Sequence, residues 1–183
     1  MRIISGTARG RKLKEPQGRD IRPTTDKVKE SIFNILQFDI EGRRVLDLFA
    51  GTGQLGIEAL SRGASGAVFV DNSPKALALV KENLKAVDLG EHAEVYQADA
   101  LAFLSHAPGK FDLVLLDPPY DTPLLEQALK AVFQFDILKP NGIILCESRE
   151  NQQLPEPSGA YSLYSQYRYG QIRLAVFTRS AEL

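Results

Sequence analysis

Two stretches of this chain carry residue types suited to chemistry. The first is Leu113-Val114-Leu115-Leu116-Asp117-Pro118-Pro119-Tyr120. The apolar run reads as a buried strand. Two prolines directly after it cannot continue a ladder, so they hold an exposed loop at the strand's end. The plain alternative is a proline-rich turn that opens a helix. The loop sets the Asp117 carboxylate and the Pro118 carbonyl close together, with Tyr120 alongside. An exocyclic amino group on a base is a poor nucleophile, because its lone pair is delocalised into the ring. Two oxygen acceptors on its hydrogens favour the pyramidal geometry needed for attack. An aromatic face holds a flipped base by stacking, worth roughly 1–3 kcal/mol per base.

The second stretch runs from Val45-Leu46-Asp47-Leu48-Phe49-Ala50 into Gly51-Thr52-Gly53-Gln54-Leu55-Gly56. It reads as a buried parallel strand, a tight glycine loop and a helix N-terminus facing the strand's carboxyl end, the arrangement of a nucleotide-like ligand site. Gly51-x-Gly53-x-x-Gly56, with Asp71 twenty residues past Gly51, also satisfies the dinucleotide fingerprint, so a nicotinamide dehydrogenase is a competitor. Two features disfavour it. Asp47 lies within the strand, where an acid can meet an ammonium group, whereas a pyrophosphate wants an uncluttered helix N-terminus. The chain also has little room for a separate substrate domain.

These stretches need a frame, and the rest of the chain supplies one. Strand patterns at 45–49, 67–71, 94–97, 111–116 and 142–147 alternate with helical ones. Ser73-Pro74 opens the clearest helix, with Leu77, Val80, Leu84 and Val87 on one face. Another helical face carries Leu124, Leu125, Ala128, Leu129, Val132 and Phe133. The alternation predicts a doubly wound α/β sheet with helices on both faces. Ligands bind beyond the carboxyl ends of such strands, and Asp71, Asp99, Asp117 and Glu147 sit there. Each could instead cap the following helix, as Asp71 before Asn72-Ser73-Pro74 could; their shared rim favours a site. After residue 150 the pattern changes to a loop-rich stretch and a hairpin, 161–168 and 171–178, turning near Tyr169-Gly170.

The amino end differs in kind. Residues 1–29 hold nine Lys or Arg against three acids, so with a net charge of −1 the remainder carries −7. A basic arm on an acidic body points to a polyanion reached through the N-terminus, against the plain reading of a solvated basic segment. Residues 2–15 read as a hairpin or extended arm anchored by Ile3, Ile4 and Leu13. Arg22-Pro23-Thr24-Thr25-Asp26 then starts a helix, capped by Thr24 or Thr25 and running to about Phe38. At 183 residues one domain is expected, with a composition (44% apolar, 25% charged) ordinary for a soluble protein. No apolar run is long enough to span a bilayer, and the start lacks the pattern of a secretory signal. The single cysteine, Cys146, sits in an apolar run and reads as a buried, inert thiol in a reducing cytoplasm. His92 and His106 fall in loops among small or polar residues and are not expected to catalyse.

The Asp47–Gly53 loop, Asp71, Asp99 and Asp117-Pro118-Pro119-Tyr120 together resemble the class I S-adenosylmethionine-dependent methyltransferases that act on amino groups of bases. The amino end narrows this. Ile4-Ser5-Gly6, Gly10-Arg11-x-Leu13, Arg22-Pro23-Thr24-Thr25-Asp26-x-Val28-Lys29-Glu30-Ser31-Ile32-Phe33-Asn34 and, near the end, Tyr169-Gly170-x-x-x-Leu174 resemble the bacterial 16S ribosomal RNA guanine-N2 methyltransferase family (RsmD-like). The resemblance implies a Rossmann-like fold with a mostly parallel seven-stranded sheet, helices on both faces, a C-terminal antiparallel hairpin and a small basic N-terminal hairpin or arm. Residues 1–22 would be the RNA-binding extension and 23–183 a single methyltransferase domain.

It further implies S-adenosylmethionine as cofactor and 16S rRNA, or an assembling small subunit, as partner of a cytoplasmic monomer with no membrane or metal requirement. Asp47, Phe49, Ala50, Gly51 and Gly53 would hold the methionine part, Asp47 near its amino group. Asp71, with Asn72, would accept the ribose hydroxyls, and Asp99 with Ala100 would contact the adenine. Asp117, Pro118, Pro119 and Tyr120 would orient the target. Arg2, Arg9, Arg11, Lys12, Arg22, Thr24 and Thr25 would grip RNA. The tetrapeptide does not by itself select guanine, so a DNA adenine-N6 or cytosine-N4 methyltransferase remains an alternative, as does a non-catalytic RNA-binding module.

Overall fold

The structure, a computed structural model, describes residues 1–17 and 25–181. Arg22 and Thr24, expected at the RNA interface, lie outside the described residues. Helix α1 (Asp26–Ile35) starts where Thr25 accepts a hydrogen bond from the Val28 amide. It ends three residues short of Phe38, because Leu36 and Ile40 are both buried and the chain must turn between them, leaving Phe38 exposed.

The alternation expected from the sequence follows: β1 (Arg44–Asp47), α2 (Gln54–Ser61), β2 (Gly66–Asp71), α3 (Pro74–Val87), β3 (Ala93–Gln97), α4 (Ala100–Ser105), β4 (Phe111–Leu116), α5 (Leu124–Phe135) and β5 (Leu138–Arg149). The hairpin strands β6 (Tyr161–Tyr169) and β7 (Ile172–Arg179) complete a seven-stranded sheet of order β3-β2-β1-β4-β5-β7-β6. Strands β1 to β5 pair in parallel; β7 runs antiparallel to β5 and β6. Strand β5 begins earlier than its apolar run suggests. Leu138 already pairs with Phe111, and the register then shifts through Asn141, which adopts φ 61°, before Ile143 meets Leu113.

The strand residues alternate between two buried layers, as the two-residue period demands. Val45, Leu113, Leu115, Ile143 and Leu145 pack with α1, α2 and α3. Leu46, Val114, Leu116, Ile144 and Cys146 pack with α4 and α5. Burial pushes the Cys146 thiol up to about 12, so it is inert at neutral pH.

The basic arm is seated on this frame. An antiparallel bridge joins Arg2 to Lys12, and Ile3, Ala8 and Leu13 enter the core on the α1–α3 side. Gly6, at φ 86°, lies so close to α2 that a Cβ would fall 1.7 Å from the Ser61 carbonyl oxygen. Ser61 also accepts the Thr7 amide on its carbonyl and the Ala8 amide on its hydroxyl. No helix among the described residues is long and apolar enough to cross a membrane.

Candidate cofactor and base-binding site

The glycine loop leaves β1 at Asp47. Gly53 is the N-cap of α2 in a left-handed conformation, with no side chain to satisfy the first amides. Asp47 does this from outside the helix: its Oδ2 accepts the Gly56 amide at 3.0 Å. The carboxyl is buried, and burial, with Asp117 and Asp71 nearby, raises its pKa to about 7 against the opposing pull of the Gly56 amide. An acid whose folded pKa is raised binds more protons folded than unfolded, so stability falls as pH climbs from about 4 to about 7. Asp47→Asn keeps an acceptor for Gly56 without the charge. Relative to the parent it should gain on the order of 4 kcal/mol in unfolding free energy between pH 4 and pH 8. Denaturant titrations across that range read this; a pH-independent difference would remove the shift.

Asp71, at the end of β2, ties the loop to the next helix. Its Oδ2 accepts the Gly51 amide at 2.9 Å and its Oδ1 the Ser73 amide at 2.9 Å. Ser73, rather than Asp71, is the N-cap of α3. Each carboxylate oxygen keeps capacity for a further donor. The Ala50 amide donates to the Val70 carbonyl, fixing the loop to β2. Asp99 caps α4, its Oδ1 accepting from Leu101 and Ala102.

Across the cleft, Asp117 follows β4. Thr122 donates to the Pro119 carbonyl at 2.8 Å, and Asp121 takes φ 60°, turning the chain toward α5. The Tyr120 hydroxyl donates to Glu147 at the buried end of β5, and the Arg149 guanidinium lies 5.1 Å from the Tyr120 ring centroid. The hydroxyl thus anchors the ring at its edge, and the guanidinium lies over one face.

These groups surround one cleft of about 1260 Å³. Phe49, Gly51, Asp71, Asn72, Asp99, Ala100 and Asp117 to Tyr120 all line it; Ala50 and Gly53 belong to the loop without lining the cleft, and Asp47 backs the loop from β1. Thr25 lines it too. Arg2, Arg9, Arg11 and Lys12 are exposed on the docked arm, away from the cleft wall. His92 ends a 3₁₀ turn and His106 caps α4, both outside the lining.

Several lining residues have no counterpart in the sequence reading. Lys14, Glu15, Pro16 and Gln17 bring the base of the arm to the cleft. Asn83 on α3 clamps them there: it accepts the Lys14 amide at 2.7 Å and donates to the Lys14 and Thr52 carbonyls. Its one signal in the sequence was an amide placed between Val80 and Leu84 on the apolar stripe of α3, where the structure buries it fully. Glu147 was legible as a rim acid, but its grip on Tyr120 was not. Ile172 gave no signal, since it reaches the cleft only through the hairpin's position, and Arg149, beside Tyr120, lies past the end expected for β5.

The donor set decides which nucleotide fits. Gly51 and Gly56 already give their amides to Asp71 and Asp47, so two groups that a pyrophosphate would need are committed to carboxylates. Glu15, Asp71, Glu82, Asp99, Asp117 and Glu147 line the cleft against Lys14 and Lys75 among the described residues. Such a wall repels a dinucleotide and suits a nucleoside that carries ribose hydroxyls and positive charge. S-adenosylmethionine, with its sulfonium and ammonium, has that character.

The strand order, the glycine loop after β1 and the Asp-Pro-Pro-Tyr corner after β4 define a Rossmann-like class I methyltransferase. Residues 1–178 match the family model described as "Conserved hypothetical protein 95". YlbH of Bacillus subtilis, a candidate rRNA methyltransferase by name, is 44% identical over 98% of this chain and 99% of its own. Ribosomal RNA small subunit methyltransferase D of Escherichia coli is 35% identical over 100% of this chain and 91% of its own. A solved structure of the candidate methyltransferase yhhF from Escherichia coli superposes with a TM-score of 0.89 at 34% identity, covering 100% of this chain and 99% of the other. The chain belongs to this family, that of the ribosomal RNA small subunit methyltransferases D.

Proposed function

We propose that the protein methylates the exocyclic N2 amino group of a guanine in 16S rRNA, acting as a cytoplasmic monomer on the small subunit or its assembling precursor. The observation that carries the reading is the Asp117–Tyr120 corner, which shares one cleft with the glycine loop. The loop at Phe49 to Gly53, backed by Asp47, would hold the methionine part of S-adenosylmethionine; Asp71 with Asn72 would hold the ribose, and Asp99 with Ala100 the adenine. When bound, the cofactor supplies an electrophilic methyl on a sulfonium.

The chain's own residues do the rest by positioning. Asp117 and the Pro118 carbonyl each accept a hydrogen of the target amino group, drawing its lone pair out of conjugation. Tyr120 stacks on the base, its hydroxyl anchored on Glu147. The nitrogen becomes acidic once alkylated and sheds its proton readily, so a strong general base is not needed. Incubation of wild-type protein with labelled cofactor and unmodified small-subunit particles or naked 16S rRNA, followed by mapping of the label, tests the whole reading. Label on a guanine N2 supports it. Label on an adenine, a cytosine or another guanine atom, or no transfer, would overturn it.

In this reading residues 1–22 are the RNA-binding extension of the methyltransferase domain over 23–183, and Arg2, Arg9, Arg11, Lys12, Arg22, Thr24 and Thr25 contact the backbone. Alanine at Arg9, Arg11 and Lys12 should weaken RNA binding and reduce the salt slope of log K by about 2, since each lost phosphate contact removes roughly 0.7–0.9. Filter binding across a salt series measures this. An unchanged slope takes the arm out of the interface.

A further inference from the structure

RNA must bring backbone phosphates up to a cleft whose rim is lined by carboxylates. On the Tyr120 side the structure holds a counterweight. A smaller recess of about 240 Å³ opens between Tyr120, Arg149, Tyr169, Gln171 and Ile172. Tyr120 and Ile172 line both this recess and the main cleft, so the two are continuous. Its floor is a single register row across three strands: Arg149 on β5 pairs with Ile172 on β7, which pairs with Tyr169 on β6. Partners in register share a face, and Arg149 shares it with Glu147 two residues earlier. The sheet therefore presents, side by side, the group that anchors Tyr120 and a guanidinium beyond it.

Arg149 is only partly committed. One terminal nitrogen pairs with Asp121 at 3.0 Å, the guanidinium stacks on Tyr120, and Nε is buried with no hydrogen-bond partner. Asp121 is exposed, so the pair is a weak one that a better anion can replace. A guanidinium presents paired donors in a fork that fits phosphate, and Tyr169, partly buried against the core, also lines the recess.

We propose that this recess is a subsite for the nucleotide that flanks the target, with its phosphodiester on Arg149 in exchange for Asp121 and its base against Tyr169. The inference rests on the reading of the Asp117–Tyr120 corner as the target-base site. It goes beyond it by assigning the neighbouring nucleotide a place and a cation.

The test compares wild type, Arg149→Met, Arg149→Lys and Tyr169→Ala on the shortest rRNA fragment that wild type methylates. Matched fragments carry a neutral methylphosphonate at each linkage flanking the target. Expected for Arg149→Met is a roughly tenfold rise in KM for RNA with kcat and calorimetric cofactor affinity preserved, and a salt slope smaller by about 0.7–0.9. Arg149→Lys should keep the slope. One of the two methylphosphonates should impair wild type as much as Arg149→Met does, and should add nothing to that variant. Tyr169→Ala should raise KM for RNA without altering the slope. If Arg149 merely props Tyr120, the loss will fall on kcat, the slope will stay, and neutral linkages will impair both proteins equally; that result overturns the subsite. The RNA-side substitutions keep this outcome readable even where a protein variant folds poorly. Failure of wild type to methylate any RNA would instead overturn the target reading, and the subsite with it.

Discussion

Asp117→Ala is expected to lower methyl transfer by a factor of about 10²–10³, the range seen when one preorganised polar group is removed from a reacting centre, while leaving cofactor affinity near the parent's. The carboxylate is one of two acceptors offered to the target nitrogen. With the Pro118 carbonyl alone, only one hydrogen is engaged and the lone pair stays largely conjugated. Asp117→Asn retains one acceptor oxygen but adds an amide donor that faces a donor, so it should fall between the two. Single-turnover transfer of labelled methyl and calorimetry with the cofactor separate the effects. Retained turnover in Asp117→Ala would sink the orienting role. A second readout is internal: Asp117 helps raise the pKa of Asp47, so its removal should lower the Asp47 pKa and shrink the pH dependence described above.

How far the site could be read from the chain depends on whether its residues were held by local or by distant contacts. The strand ends were legible because a parallel strand buried on both faces is a continuous apolar run, and the acids that follow it mark the ligand rim. Asp99 showed the limit of that reasoning: it lines the cleft and also caps α4, and no spacing rule separates the two roles. Strand β5 was read short because Lys139-Pro140-Asn141-Gly142 has the composition of a turn, yet pairing with β4 resumes on either side of it. The arm was legible as basic, and Ile3 and Leu13 as its anchors. Its seat was not, because Glu58 and Ser61 look like ordinary helix-surface polar residues three apart until the arm covers them. Arg149 was silent for the same reason, since antiparallel pairing of β5 with β7 is what brings it beside Ile172.

That seat carries the largest expected stability effect. Glu58 is fully buried on α2 and gathers donors from three segments. Its carboxylate accepts the Ile4 amide at 2.9 Å, the Ser5 amide at 3.0 Å and the Arg62 Nε at 2.9 Å, with the equally buried Lys29 ammonium 3.6 Å away. Lys29 in turn donates to the Arg2 carbonyl. Glu58→Ala strands a buried ammonium and two arm amides, so it should cost about 3–5 kcal/mol and lower Tm by roughly 10 °C for a chain of this size. Because the base of the arm walls the cleft and Asn83 ties it to Thr52, cofactor affinity should fall as well. Glu58→Gln separates charge from shape, since it keeps an acceptor for the arm and removes the counter-charge. Burial already lowers the Lys29 pKa, and Glu58 is the main force opposing that shift. In Glu58→Gln the Lys29 pKa should drop further. The unfolded chain then holds a proton that the folded one releases, and stability must rise with pH in the alkaline range below the ordinary lysine value. Denaturant unfolding of both variants at neutral and alkaline pH reads out this sign. A Glu58→Gln profile parallel to the parent's would mean that the Lys29 pKa does not depend on Glu58.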